Sequence, residues 1–399
     1  MPVPSAFHSR THALCESLNY RDWSGFYAVG AFEAHHEHEY NAIRNGCALI
    51  DISPLFKYRI TGPDATPLVN RVITRDATQL AIGQVYYTPW CDEDGHVIDD
   101  GTVARVAEHA YRWTAADPSL RWLTYNAHGL NVAIEDVSEE VAALAVQGPT
   151  SARLLRHVSD APIDRLKYFQ STPATIGGVP VDVSRTGYTG DLGYEIWLPW
   201  HRAIEVWDAI ADARRAFDAQ PVGLLALDMA RVEAGLLLID VDFHGSRKAL
   251  IDSQKYSPYE LGMGRLVDLG KGPFVGRRAL MIENQQAPRR QIVGLEVDWT
   301  EVERLYERRG LAPTAPAATS RLAVPVFREG KQIGRATSTT WSSSLKKLIA
   351  IATIDRPFYA RGTTLKMEVT VDAARHPASA IVVPTPFFKP ARKTATPPP

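Results

Sequence analysis

Four stretches carry residue types that can do chemistry. The first runs from Tyr87 to Asp100 and ends in two adjacent carboxylates, Asp99 and Asp100. On an extended backbone, neighbouring side chains point to opposite faces. One carboxylate can then face a cleft while the other faces solvent or closes a turn. The second is AVQGP (145–149). The third, RTGYTGDLGYEI (185–196), holds Tyr188 and Glu195 among glycines at 187, 190 and 193. That glycine spacing is too loose for a phosphate loop and suits tight turns between strands. The fourth, DMARVEAG (228–235), places Arg231 and Glu233 two positions apart on a predicted helix, so they face different sides. Taken singly, the first, third and fourth read as a hairpin turn, a loop and a surface ion pair.

Other chemistries leave no trace. There is no GxxxxGK[ST] loop, no GxGxxG between a strand and a helix, no HExxH and no GxSxG. His35, His36 and His38 lie together, but no cysteine or carboxylate pattern completes a metal site, and none is expected. The three cysteines, Cys15, Cys47 and Cys91, are too sparse for a disulfide framework, which fits a reducing compartment. Lys plus Arg is 44 against 45 for Asp plus Glu, so no basic excess points to nucleic acid or an anionic membrane. No apolar run approaches the roughly 20 residues a spanning helix needs, and the first residues lack a signal-peptide core. The expectation is a soluble, cytoplasmic protein. Its 399 residues, 45% hydrophobic, suffice for several cores.

The elements that must position these residues follow from periodicity. Residues 33–44 read as a helix, 51–65 as a strand running into a turn, and 64–72 as a helix. Residues 80–135 are strand-rich. HRAIEVWDAIADARRAF (201–217) is an amphipathic helix, and 224–236 reads as a second. Short strands at 179–185 and 194–199 precede them. After a linker at 284–290, short strands dominate, with a hairpin at Glu329-Gly330 and a capping box at Thr300 and Glu303. Many strands in about 100 residues suggest a small barrel. The predicted organisation is α+β over 1–285, in two interleaved domains, a β-barrel over 290–388, and a disordered tail over 389–399.

Order and spelling tie the four stretches together. GHVIDD, LAVQGP, TGYTGDLGYEI and RVEAGLLLIDVD resemble, in sequence order, the signature stretches of the aminomethyltransferase (glycine-cleavage T-protein) superfamily of tetrahydrofolate-dependent one-carbon transferases. DISPLFKYRITGPDA, SPYELGMGRLVDLGKGPFVGRRAL (257–280) and IGRATSTTWSSSLKKLIAIA (333–352) extend the resemblance over residues 35–385. It implies a three-domain clover leaf with tetrahydrofolate in a central channel, the pterin buried and the glutamate tail near the mouth. Asp99 matches the carboxylate near N5 of the folate, the catalytic position. Glu195 matches the one that accepts hydrogen bonds from the pterin, Tyr188 the ring packed near it, and Tyr87 and Arg231 further pocket positions. Arg231 can pair an acid of the folate or of the protein.

The departures bear on the substrate. His96 stands where the family has a second glycine, DISPL (51–55) where the glycine-cleavage enzymes have DVSHM, and Ala116 where they have an asparagine. TAADPS, TEVERLYERRG and ATSTTWS look more like the demethylase branch, which takes methyl from methoxyaromatic acids or a sulfonium. The implied reaction moves a methyl group from a small-molecule donor, such as a methoxyaromatic, to N5 of tetrahydrofolate. Trp23, Tyr27, Phe56 and Trp90 are candidates to line the donor pocket, with core or hinge packing as the equal alternative. His96 is a further candidate there. The competing readings are the glycine-cleavage aminomethyltransferase, which needs a lipoyl carrier protein, and a non-catalytic folate-binding protein. The branch that assists iron–sulfur assembly carries a cysteine signature that DVDFHGSRKALIDS (240–253) lacks.

Overall fold

The structure is a computed structural model and describes residues 1–397. Two open sheets and one closed barrel organise the chain. The five-stranded sheet has the order Val85–Cys91, Val97–Ala107, Ala110–Ala115, Phe56–Thr61, Ala133–Asp136. The six-stranded sheet has the order Ser171–Ile176, Val179–Ser184, Gly193–Pro199, Val141–Gln147, Cys47–Asp51, Ala219–Pro221. Strands Arg290–Val297, Val324–Arg328, Lys331–Ser342, Lys347–Asp355, Thr364–Val371 and Ala374–Val383 close into the barrel. The fold is α+β, as expected.

The chain changes sheet within a few residues. Cys47–Asp51 lies in the six-stranded sheet and Phe56–Thr61 in the five-stranded one, so the strand expected at 51–65 is confined to 56–61 and a separate strand precedes it. The bend between them is held by Lys57, whose Nζ donates to the carbonyls of Ser53 (2.5 Å) and Leu55 (2.8 Å).

The five-stranded sheet has two chemically different faces. Tyr58, Ile60, Trp90, Val103, Tyr111 and Trp113 form one, packed into a core with the helices Ala65–Val72 and Leu120–Asn126. The two-residue period puts Lys57, Tyr87, Asp100, Thr102, Arg112 and Thr114 on the other. The register agrees: Tyr87 lies opposite Thr102, Lys57 opposite Thr114, and Trp113 opposite both Val103 and Tyr58. This polar face looks toward the six-stranded sheet, where Arg112 reaches Asp182.

Local expectations met mixed outcomes. The helix predicted over 33–44 is Glu37–Asn45, and the one predicted over 201–217 is Ala203–Ala213 followed by a 3-10 turn. The Glu329-Gly330 turn joins Arg328 to Lys331, with both residues at positive φ. The capping box does not form. Asp298 caps the helix Trp299–Glu307 instead, accepting from the Glu301 amide at 3.2 Å, because the helix starts earlier than Thr300 allows. The tail also differs from the expectation where it is described. Arg392 forms a bidentate pair with Asp191 (2.6 and 2.8 Å), and Arg185 donates to the Ala395 carbonyl at 2.5 Å. Residues 398–399 of that stretch lie outside the described ones.

Candidate active site

The two adjacent aspartates have divided roles. Asp99 is on the core face of its strand and fully buried. One of its oxygens accepts the Asp100 amide at 2.8 Å; the other accepts the amides of Ala116 (3.1 Å) and Asp117 (3.0 Å). It ties Val97–Ala107 to the loop that follows Ala110–Ala115. Asp100, one residue on, takes the polar face and stands beside the Tyr87 hydroxyl. Burial lifts its carboxyl to about 6, against the pull of that hydroxyl. The position facing the cleft, expected of Asp99, is therefore held by Asp100.

Tyr87, Asp100, Tyr188 and Glu195 share one property. Protein surrounds each of them, yet each keeps part of its surface accessible, as residues lining a cleft do. Tyr188 feels the charges of Asp100 and Arg231, and its hydroxyl donates to the Leu237 carbonyl, which fixes the ring. Glu195 comes from the six-stranded sheet, on Gly193–Pro199. The Thr186 hydroxyl donates to its Oε2 at 2.6 Å, and Oε1 has no protein partner among the described residues. Burial raises the Glu195 carboxyl, while Thr186 and the Arg112 guanidinium pull it down.

Gln147 explains why the glycines stand where they do. Its amide donates to the carbonyls of Thr186 (3.1 Å) and Tyr194 (3.0 Å) and accepts from the Thr189 hydroxyl (2.9 Å). A Cβ at Gly187 or Gly193 would lie 2.0 or 2.1 Å from its Oε1. The AVQGP glutamine thus plugs the TGYTGDLGYE loop, and only glycine leaves it room. Gly190, at φ +75°, packs on Ala234 after the helix Leu224–Glu233.

Arg231 resolves the choice left open in the sequence. Its guanidinium donates to Asp228 (2.8 Å), Asp242 (2.5 Å) and Ser338 (2.7 Å), and it is fully buried. Its pair acids belong to the protein, and its work is to tie the helix to the barrel. Glu233 behaves likewise, taking Arg44 (2.5 Å), Tyr40 (2.5 Å) and Ser342.

The aromatic candidates for a donor pocket separate. Trp90 is fully buried in the sheet core, edge-on to Trp113 at 4.7 Å, and Phe56 packs against the same core. Their strand parity turns both away from the polar face. Tyr27 joins a peripheral group with His8 and Tyr20 at 5.7 and 6.1 Å. His96 sits in the turn before its strand, its amide bonded to Asp92 at 2.9 Å and its ring facing Asp252 and Glu283. Among the described residues, none of these four joins the group formed by Tyr87, Asp100 and Tyr188. Asp92, Asp94 and His96 bring ligand atoms within 4.8 Å of one another, but in an exposed turn. Sequence reasoning missed Asp100 as the cleft residue, and it missed Arg112 and Tyr168 beside Glu195. The alternation Tyr111-Arg112-Trp113 was the signal available for Arg112.

Comparison with known proteins agrees with this architecture. Residues 6–271 match the family model described as the GCVT N-terminal domain, and residues 307–389 the glycine cleavage T-protein C-terminal barrel domain. The chain is 32% identical over 357 residues to an aminomethyltransferase of Caldanaerobacter subterraneus subsp. tengcongensis, covering 88% of this chain and 87% of that one. It is 36% identical over 404 residues to a trimethylamine-oxide aldolase of Ruegeria pomeroyi, covering 98% of this chain and 47% of the aldolase. The chain thus spans about half the length of that relative. The glycine cleavage system aminomethyltransferase T of Bartonella henselae superposes with a TM-score of 0.82 at 22% identity, over 98% of this chain and 99% of that one, which shows a common fold. The chain belongs to the glycine-cleavage T-protein, or aminomethyltransferase, family. It is an enzyme of that family, a one-carbon transferase by class. No helix among the described residues is long and apolar enough to cross a membrane.

Proposed function

We propose that the chain transfers a methyl group from a small-molecule donor to N5 of tetrahydrofolate. The observation that carries this reading is Glu195: a carboxylate enclosed by protein, with one oxygen bonded to Thr186 and the other without a partner among the described residues. Two parallel N–H donors, such as a pterin amino group and its ring N–H, match that vacant acceptor. Tyr188, its ring fixed through Leu237, supplies a flat aromatic surface for the heterocycle. These residues fit the folate.

Bound folate supplies the nucleophile: the N5 lone pair bonds to the methyl carbon as the donor heteroatom departs with its electron pair. Asp100, with its carboxyl at about 6, is mainly ionised at neutral pH and accepts the proton that N5 then gives up. Tyr87, beside it, orients that carboxylate. For a methoxyaromatic the N5 proton passes through Asp100 to the oxygen as the C–O bond breaks, so the leaving group departs as the neutral phenol. The aldolase relative, named for trimethylamine oxide, adds N-methyl compounds to the donor classes to be tested. Asp99 supports this site as a positioning residue.

The second reading, transfer of an aminomethyl group from a lipoyl carrier protein, rests on the relatives named aminomethyltransferase. DISPL in place of DVSHM speaks against it.

The test has two stages. Calorimetry with tetrahydrofolate should give micromolar-range binding that weakens on Glu195→Ala. A donor screen over O-, N- and S-methyl compounds should then yield 5-methyltetrahydrofolate. No folate binding to the folded wild type would remove both enzyme readings. Turnover only with a lipoylated carrier, giving 5,10-methylenetetrahydrofolate, would replace the first with the second.

A further inference from the structure

Arg112 is not part of any motif, yet it reaches across the interface between the two sheets. It stands on Ala110–Ala115, on the polar face of the five-stranded sheet. Its Nη1 bonds Asp182 of the six-stranded sheet at 2.5 Å, and its guanidinium lies over the Trp197 ring at 4.4 Å. Asp182 and Trp197 are directly opposed partners on adjacent strands, and Trp197 is two residues beyond Glu195 on the same strand. The two-residue period puts Trp197 and Glu195 on one face. An arginine stacked on one and paired beside it is fixed next to the other. The side chain is only 13% exposed.

We propose that Arg112 is a positioning residue for the candidate folate site: paired with Asp182 and stacked on Trp197, it holds a fixed positive charge on the face from which Glu195 meets the pterin donors. This inference rests on the folate reading of the same site. The physical need is plain. A carboxylate taken out of water favours its neutral form, and a neutral carboxyl has only one good acceptor to offer a pair of N–H donors. Thr186 is a neutral hydroxyl donor. The groups that face Glu195 are Thr186 from the loop after Val179–Ser184, Arg112 from the other sheet, and Tyr168 from the loop before Ser171–Ile176. Arg185 and Arg265 lie beyond Tyr168 and act on its hydroxyl. Asp182 partly offsets Arg112 but leaves the guanidinium held in place. Of these groups, Arg112 is the cation that acts on Glu195.

The experiment is calorimetric binding of tetrahydrofolate at pH 6 and pH 8 to the wild type, Arg112→Gln and Arg112→Lys, under reducing conditions, with thermal unfolding of each. In Arg112→Gln the neutral form of Glu195 persists to higher pH. Binding should therefore weaken more at pH 6 than at pH 8. Arg112→Lys, which restores charge, should recover most of the loss at pH 6. Equal weakening at both pH values, with a lowered melting temperature, would mean that Arg112 only braces the sheets, and would overturn the proposal. So would an unchanged affinity in Arg112→Gln. If Arg112→Gln does not fold, Asp182→Asn serves in its place. It keeps the cation, still stacked on Trp197, and removes the anion that offsets it, so binding that holds or tightens at pH 6 supports the role and weaker binding at both pH values overturns it. Failure of the wild type to bind folate would instead defeat the folate reading itself.

Discussion

Asp99 and Asp100 differ by one residue in sequence and by a whole environment in space. Asp99 accepts three backbone amides. In Asp99→Asn, an N–H2 group must meet at least one of those donors, leaving buried amides unpaired at about 1–3 kcal/mol each. Thermal or urea unfolding should show that loss even without ligand. Asp100 makes no such backbone contacts, so Asp100→Asn should fold with nearly wild-type stability. Its turnover should fall by on the order of 10²-fold or more, as expected for loss of a proton acceptor, while folate affinity changes little. Single-turnover formation of 5-methyltetrahydrofolate reads this directly. The reverse pattern, activity lost and stability kept in Asp99→Asn, would return the catalytic role to Asp99.

At the scale of elements, two devices set the cleft. The Gln147 plug needs glycine at 187 and 193. Gly193→Ala forces that side chain out and breaks its bonds to Thr186 and Tyr194, at a cost of about 2–4 kcal/mol. Because Glu195 is two residues on, folate binding measured by calorimetry should fall in parallel. The second device is the bend at 52–55, pinned by the buried Lys57. Burial pushes its amine down to about 7, although Asp51 and Asp136 pull the other way. The unfolded chain keeps this amine near about 10.4. Between pH 7 and 10 the unfolded state therefore holds a proton that the folded state has released, so stability rises with pH across that window. Lys57→Met should flatten part of the rise in urea-unfolding curves. Lys271, also lowered to about 7 by burial, keeps the remainder.

For the whole molecule, buried arginines join the barrel to the sheets. Arg231 reaches Asp228, Asp242 and Ser338, and Asp242 in turn accepts from Thr337 and Ser338 of the barrel strand Lys331–Ser342. Arg44 and Tyr40 meet Glu233, which the barrel residue Ser342 also bonds. Removing one partner leaves a buried charge uncompensated, which costs about 3–5 kcal/mol. Asp242→Ala should therefore lower the melting temperature markedly. If the barrel then unfolds apart from the sheets, calorimetry will show a second transition. A single transition at an unchanged temperature would mean that apolar packing alone unites the molecule.

Sequence by itself determined much of this protein. The ordered motifs carried the family, and two-residue periods carried the barrel strands and the Glu329-Gly330 hairpin, because such signals are local. Glycine spacing marked the Gln147 loop as turns, but the plug that requires those glycines comes from another strand and shows only in three dimensions. Strand parity stated that Asp99 and Asp100 face opposite ways. Only the tertiary structure decided which way was inward, because that depends on which face of the sheet finds Trp90 and Trp113 and which finds the second sheet. The same holds for Arg231, whose acids lie elsewhere in the fold, and for Trp90, Phe56, Tyr27 and His96, whose composition suggested a pocket that their positions do not form. Arg112 is the extreme case. Its partners Asp182 and Trp197 are 70 and 85 residues away in sequence, and no local pattern encodes a contact made by two sheets meeting face to face.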